Sequence, residues 1–155
     1  MSLAKRVIPT VLVRGHTVYK GTQFNPWRSI GSAVQAARVH ARRGVDELCI
    51  LDVAATAEGR GPDLDLVRQL SEDCHIPITV GGGVKTLSDI DALLRAGADK
   101  VAFSLYGAFT RGDAFGFMMM AAERFGSQAL VGVMNVSCGC VGPTTDPVTA
   151  AKLAR

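Results

Sequence analysis

A parallel α/β fold is what this sequence predicts, either an open doubly wound sheet or part of a (β/α)8 barrel. Three observations point there. Short apolar runs alternate with segments whose apolar residues recur every three or four positions, as strands alternating with helices do. The runs are apolar on consecutive positions, which strands covered on both faces require. One of them, Ile78-Thr79-Val80, leads straight into Gly81-Gly82-Gly83 and then a helix. Open backbone N–H groups beside a helix N-terminus hold phosphate at the carboxyl edge of such sheets. A tight turn that needs only small residues is the plainer reading of the same glycines.

Residues 7–13 read as the first strand, continued after a turn at Gly15 into Thr17-Val18-Tyr19. Ile30, Val34, Ala37 and Ala41 mark the first helix, closed by Gly44. Residues 47–53 form the second strand, and Leu64, Val67 and Leu70 line the second helix. A third strand at 77–80 precedes a helix carrying Leu87, Ile90, Leu93 and Leu94 and ended by Gly97. Residues 100–103 make the fourth strand, 113–124 a helix, and 129–136 the fifth strand. Within that helix, spacing places most of Phe115, Phe117, Met118, Met119 and Met120 in the core. Asp146-Pro147 opens a last helix, with Asp as N-cap and Pro at the first helical position. Crossovers of this kind are right-handed. A complete barrel takes about 250 residues, so length alone favours the open sheet.

With 48% hydrophobic residues, 20% charged residues and 17 glycines, the 155 residues suit a single packed domain spanning residues 1–155. The net charge of +3 is spread along the chain, which leaves no basic footprint for nucleic acid. No apolar run approaches the roughly 18 residues of a membrane span, and the start lacks a signal peptide's apolar region. The cytoplasm is the expected location. Cys49 reads as core packing; Cys138-Gly139-Cys140 is too tight for the usual C-x-x-C spacing, and His16, His40 and His75 stand singly. Neither a metal nor a cofactor is expected.

The segments Ala4-Lys5-Arg6-Val7-Ile8-Pro9, Val45-Asp46-Glu47-Leu48-Cys49-Ile50-Leu51-Asp52-Val53 and Val80-Gly81-Gly82-Gly83-Val84-Lys85 resemble one family, as do Leu94-Arg95-Ala96-Gly97-Ala98-Asp99-Lys100-Val101 and Phe125-Gly126-Ser127-Gln128. It is the cyclase subunit of imidazole glycerol phosphate synthase, a (β/α)8 barrel of histidine biosynthesis. The resemblance runs almost end to end, in the same order and with nearly the same spacing. It favours the TIM-barrel type, with the first half and strand five present in this chain. It implies a glutamine amidotransferase (glutaminase) partner whose ammonia crosses the barrel and attacks a ribulosyl formimino intermediate. The products are imidazole glycerol phosphate and an aminoimidazole carboxamide ribotide. Two aspartates, on strands one and five, exchange the protons this requires.

Both aspartates are replaced here. Leu12 occupies the strand-one position and Asn135 the strand-five position. Leucine exchanges no proton, and asparagine keeps the shape of aspartate without its basicity. Losing one acid–base group costs about 10²–10⁴-fold in rate, so the resemblance implies little cyclase activity. The strand-four phosphate contact changes too, from Asn-Thr to Ser104-Leu105, where only Ser104 can donate.

Other features persist. Gly82, Gly83 and Ser104 match the phosphate grip, and Lys20 matches a lysine near the substrate end of strand one. Arg6, Glu47 and Lys100 match three of the four charged residues that gate ammonia entry, although solvated surface charge is the simpler reading of Arg6 and Lys100. Asp52 ends the second strand, either facing the active-site mouth or capping its loop; Trp27 either covers that mouth or packs. Pro9-Thr10-Val11-Leu12-Val13, Glu58-Gly59-Arg60-Gly61-Pro62-Asp63 and Asp146-Pro147-Val148 are similar to paralogues encoded with surface-polysaccharide genes. Those are implicated in turning an acetamido sugar into an acetamidino sugar. The resemblance thus implies an ammonia-channelling subunit acting on a phosphorylated or nucleotide-sugar substrate, with the histidine-pathway cyclase and a non-catalytic scaffold as alternatives. Five strands leave open sheet edges, so self-association or pairing with the rest of a barrel is expected.

Overall fold

The computed structural model describes residues 5–21, 27–104, 114–133, 136–137 and 140–141. Five strands run parallel and lie side by side in chain order: β1 (Thr10–Arg14), β4 (Leu48–Asp52), β5 (Ile78–Gly81), β6 (Lys100–Ser104) and β7 (Leu130–Val133). An antiparallel hairpin of β2 (Thr17–Gly21) and β3 (Trp27–Ser32) extends the sheet past β1 to seven strands. Helices α1 (Ala33–Arg42), α2 (Leu64–Asp73), α3 (Leu87–Ala96) and α4 (Ala114–Phe125) lie between successive parallel strands.

Strand order and core placement decide the architecture. A doubly wound sheet reverses its strand order and carries helices on both faces. Here the parallel strands never reverse. One core cluster gathers Ala37 of α1, Leu66 and Leu70 of α2, Ile90 and Leu93 of α3 and Ala121 of α4. Val11 and Val13 of β1, Leu48 and Ile50 of β4, and Ile78 and Val80 of β5 meet them there. Helices therefore cover one face of sequentially ordered strands, which is how the staves of a (β/α)8 barrel are built. The fold is a partial (β/α) barrel, as the resemblance implies.

Local sequence explains the element ends. Asp63 caps α2 by accepting from the Leu66 N–H at 3.0 Å. Thr86 and Asp89 form a reciprocal capping box at α3, whose C-cap is Gly97. The helices are short, so their stability comes from the face they bury. Leu48, Ile50, Leu70, Ile90 and Leu93 are each less than 2% exposed, and each such side chain contributes about 1.5–3 kcal/mol.

Several boundaries differ from the sequence reading. The first strand begins at Thr10, because the Val7 N–H and C=O are bonded to Asp46 and Val7 is 63% exposed. Ile30 belongs to β3 and is exposed; its four-residue spacing to Val34 is fortuitous, and α1 starts after extended Ser32. The fifth strand is described over Leu130–Val133, and Val136–Ser137 (β8) pairs with Cys140–Val141 (β9) as a separate antiparallel ribbon. On α4, Phe117 packs edge-on against Phe103 with centroids 5.6 Å apart, but Met119 and Met120 are more than half exposed, not core. The helix read at Asp146-Pro147 lies outside the described residues. Among the described residues no helix is long and apolar enough to cross a membrane.

Candidate functional site

Each end of the parallel strands gathers a distinct set of charges. At the amino end, Glu47 precedes β4, Thr79 lies in β5 and Lys100 opens β6. Glu47 is 5% exposed, and both of its carboxylate oxygens are occupied. The Thr79 hydroxyl donates to Oε1 at 2.5 Å and the Lys100 ammonium to Oε2 at 2.5 Å. Burial pushes the Glu47 carboxyl up, but the hydrogen bonds from Lys100 and Thr79 and the charges of Lys100 and Arg6 outweigh it. The net effect holds Glu47 below the usual glutamate range. Lys100 and Arg6 thus both act on Glu47. Thr79 is the member that sequence reading missed, because a threonine in an apolar strand carries no charge to single it out.

A repeated device fixes this end of the sheet. The Asp46 carboxylate accepts the Val7 N–H, and the Asp99 carboxylate accepts the Ile78 N–H. In return the Asp46 N–H donates to Val7 C=O and the Asp99 N–H to Ile78 C=O. Each aspartate stands one or two residues ahead of its strand, so the charged residues Glu47 and Lys100 directly after them are aimed reproducibly.

At the carboxyl end, Leu12 pairs in register with Leu51, on the face opposite buried Val11 and Val13. Proton exchange is beyond it. The nearby carboxylates are engaged. Asp52 Oδ1 accepts the N–H groups of Ala54 and Ala55, and Oδ2 accepts from Arg60 at 3.1 Å. Glu58 takes Arg60 on one oxygen and Arg14, from the end of β1, on the other. The hydrogen bonds from Arg60 and then Arg14 hold the Glu58 carboxyl below its usual range. Asp63 caps α2 and lies 3.3 Å from His16. Of the two roles open to Asp52, its contacts are those of a loop cap.

Gly82 and Gly83 follow β5, and Ser104 ends the adjacent β6 exposed to solvent, so all three share one edge. Both glycines have positive φ, +116° and +72°. A Cβ on Gly82 would lie 2.4 Å from the Asp52 carbonyl oxygen, and one on Gly83 2.7 Å from that of Arg60. Glycine is needed there for close packing against the loop after β4, whatever else it does. The start of α3 is already supplied with an anion, since Asp89 accepts the N–H groups of Lys85 and Thr86. Those two N–H groups are thus engaged within the chain.

Lys20 is exposed on β2 opposite Arg28, on the far side of β1 from the glycines. Asn135 and Leu105 lie outside the described residues. Trp27 begins β3 and is half-buried. Burial raises the Cys49 thiol, although the Thr10 hydrogen bond opposes it. Among the described residues no three of His, Cys, Asp and Glu gather as a metal site would need.

Residues 6–142 match the model of a family described as histidine biosynthesis protein. The chain belongs to that family. It is 46% identical over 144 residues to the imidazole glycerol phosphate synthase subunit HisF of Salinispora tropica. That match takes in 93% of this chain and 55% of the relative, so the chain spans about half the relative's length. As a histidine biosynthesis family member it is HisF-like, and the similarity does not single out the polysaccharide-linked paralogues.

Proposed function

We propose that this chain belongs to a HisF-type subunit that receives ammonia from a glutaminase at the amino end of its strands. It delivers the ammonia to a phosphorylated substrate held at the carboxyl end. The observation that carries this is the Glu47–Lys100 pair, a buried carboxylate held by a partly exposed lysine and braced by Thr79 within range of Arg6. A buried carboxylate paired at the edge of solvent is a costly way to gain stability, and it suits a charged door that excludes bulk water and opens for a small neutral molecule. The similarity to HisF favours imidazole glycerol phosphate formation as the reaction.

Leu12 favours a second reading. An apolar side chain at the proton-exchanging position suits delivery of ammonia to chemistry completed elsewhere, such as amidination of a nucleotide sugar by an ATP-dependent partner. Supplying the full-length protein with the formimino intermediate and ammonium salt separates the two. The histidine reading predicts imidazole glycerol phosphate; the sugar reading predicts none, together with glutaminase-dependent ammonia transfer to a third protein. Absence of both product and transfer would refute the conduit and leave a scaffold.

A further inference from the structure

We infer that Asp52 and Arg60 are positioning residues for the anion grip: through the loop after β4 they hold Gly82 and Gly83 in their binding conformation. The inference rests on the phosphate role proposed for those glycines.

The Asp52 side chain is 8% exposed and makes three hydrogen bonds, two to the loop backbone and one from Arg60. Arg60 uses two arms of its guanidinium, Nη2 on Asp52 and Nε on Glu58, at 3.1 and 2.7 Å. Glu58 also takes two donors from Arg14 at 3.0 and 2.7 Å, which ties the loop to the tip of β1. The Arg60 N–H donates to Ala55 C=O, and the Lys85 ammonium reaches Gly59 C=O at 3.3 Å. The loop is thereby fastened at both ends and across its middle.

This fastened loop forms the wall behind the glycines. The Asp52 carbonyl stands where a Cβ of Gly82 would be; Arg60 C=O and the Ala55 methyl crowd the same position on Gly83. Glycine has the widest conformational freedom of any residue, so two in succession keep one conformation only when something outside them does the holding. Backbone N–H groups that must converge on an anion bind more tightly when they are held in advance.

Electrostatics alone predicts the opposite effect of mutation. Asp52→Asn removes a negative charge beside the anion and by charge alone tightens binding. Positioning predicts weaker binding, by about tenfold, the cost of one hydrogen bond to a charged group. Arg60→Lys keeps the positive charge but cannot span Asp52 and Glu58 together, so it also weakens binding. Titration calorimetry with inorganic phosphate on the full-length protein reads both. Amide hydrogen exchange at Ala54, Ala55 and Gly83 is expected to quicken in each variant. Exposed Glu58→Gln, which leaves the buried carboxylate in place, covers the case in which Asp52→Asn does not fold. It removes a negative charge too, and is expected to weaken binding roughly two- to fivefold. Affinity unchanged or tighter in the folded variants overturns the inference. A wild-type protein with no phosphate affinity overturns the phosphate role itself, a separate result.

Discussion

Glu47 and Lys100 stand 53 positions apart, one ahead of β4 and one at the start of β6, yet their charged atoms meet at 2.5 Å. Thr79, on the strand between, closes the remaining carboxylate oxygen. Parallel strands in chain order make this possible, because every strand brings its first residue to the same end.

Removing the cation from this pair leaves a buried carboxylate with a single hydroxyl donor. Lys100→Met is expected to lower stability by roughly 1–3 kcal/mol, the range for an uncompensated, largely buried charge that keeps some solvent. Urea unfolding of the full-length protein measures it. An unchanged midpoint would show that the pair is only a surface contact.

The same pair sets a pH dependence. Burial raises the Glu47 carboxyl, and its hydrogen bonds and neighbouring cations lower it further than burial raises it. A carboxyl lowered in the folded state stabilises fully above the ordinary glutamate value of about 4.3 and loses that contribution as pH falls through its lowered value. The stability advantage of wild type over Glu47→Gln should therefore be constant near neutrality and shrink below about pH 4. An advantage that grows on acidification contradicts the assignment.

Gly82 and Gly83 differ from Gly59, which also has positive φ. A Cβ on Gly59, at +68°, would have nothing within 4 Å, whereas one on Gly82 or Gly83 would meet backbone atoms at 2.4 and 2.7 Å. Gly82→Ala and Gly83→Ala are expected to cost about 1–3 kcal/mol more than Gly59→Ala, the penalty of overpacking. Thermal unfolding of the three variants decides it, and equal losses would mean the loop yields readily. A bulkier change at Gly83 would disturb the fold before it reported on phosphate.

Much of this was legible in the sequence. Consecutive apolar residues mark β4, β5 and β6, and the spacing of Leu64, Val67 and Leu70 marks α2, because buried elements follow their period closely. Exposed β3 carries no such period, and Ile30 falls at a helical spacing from Val34 only by chance. Charged Arg6, Glu47 and Lys100 were recognisable by resemblance. Thr79 was not, since its part depends on register between β4, β5 and β6. Arg60 and Glu58 lie in a loop whose path no local pattern prescribes; only the folded chain brings them to Asp52 and Arg14.

The central claim is that the entrance for ammonia is kept while the proton-exchanging acids are gone. Its most direct measurement is the rate of ammonia-dependent imidazole glycerol phosphate formation by the full-length protein, beside its Leu12→Asp, Asn135→Asp double variant. The variant is predicted to be faster by about 10²-fold or more, the contribution of acid–base groups restored at the two family positions. Wild-type turnover equal to or above that of the variant would contradict the claim.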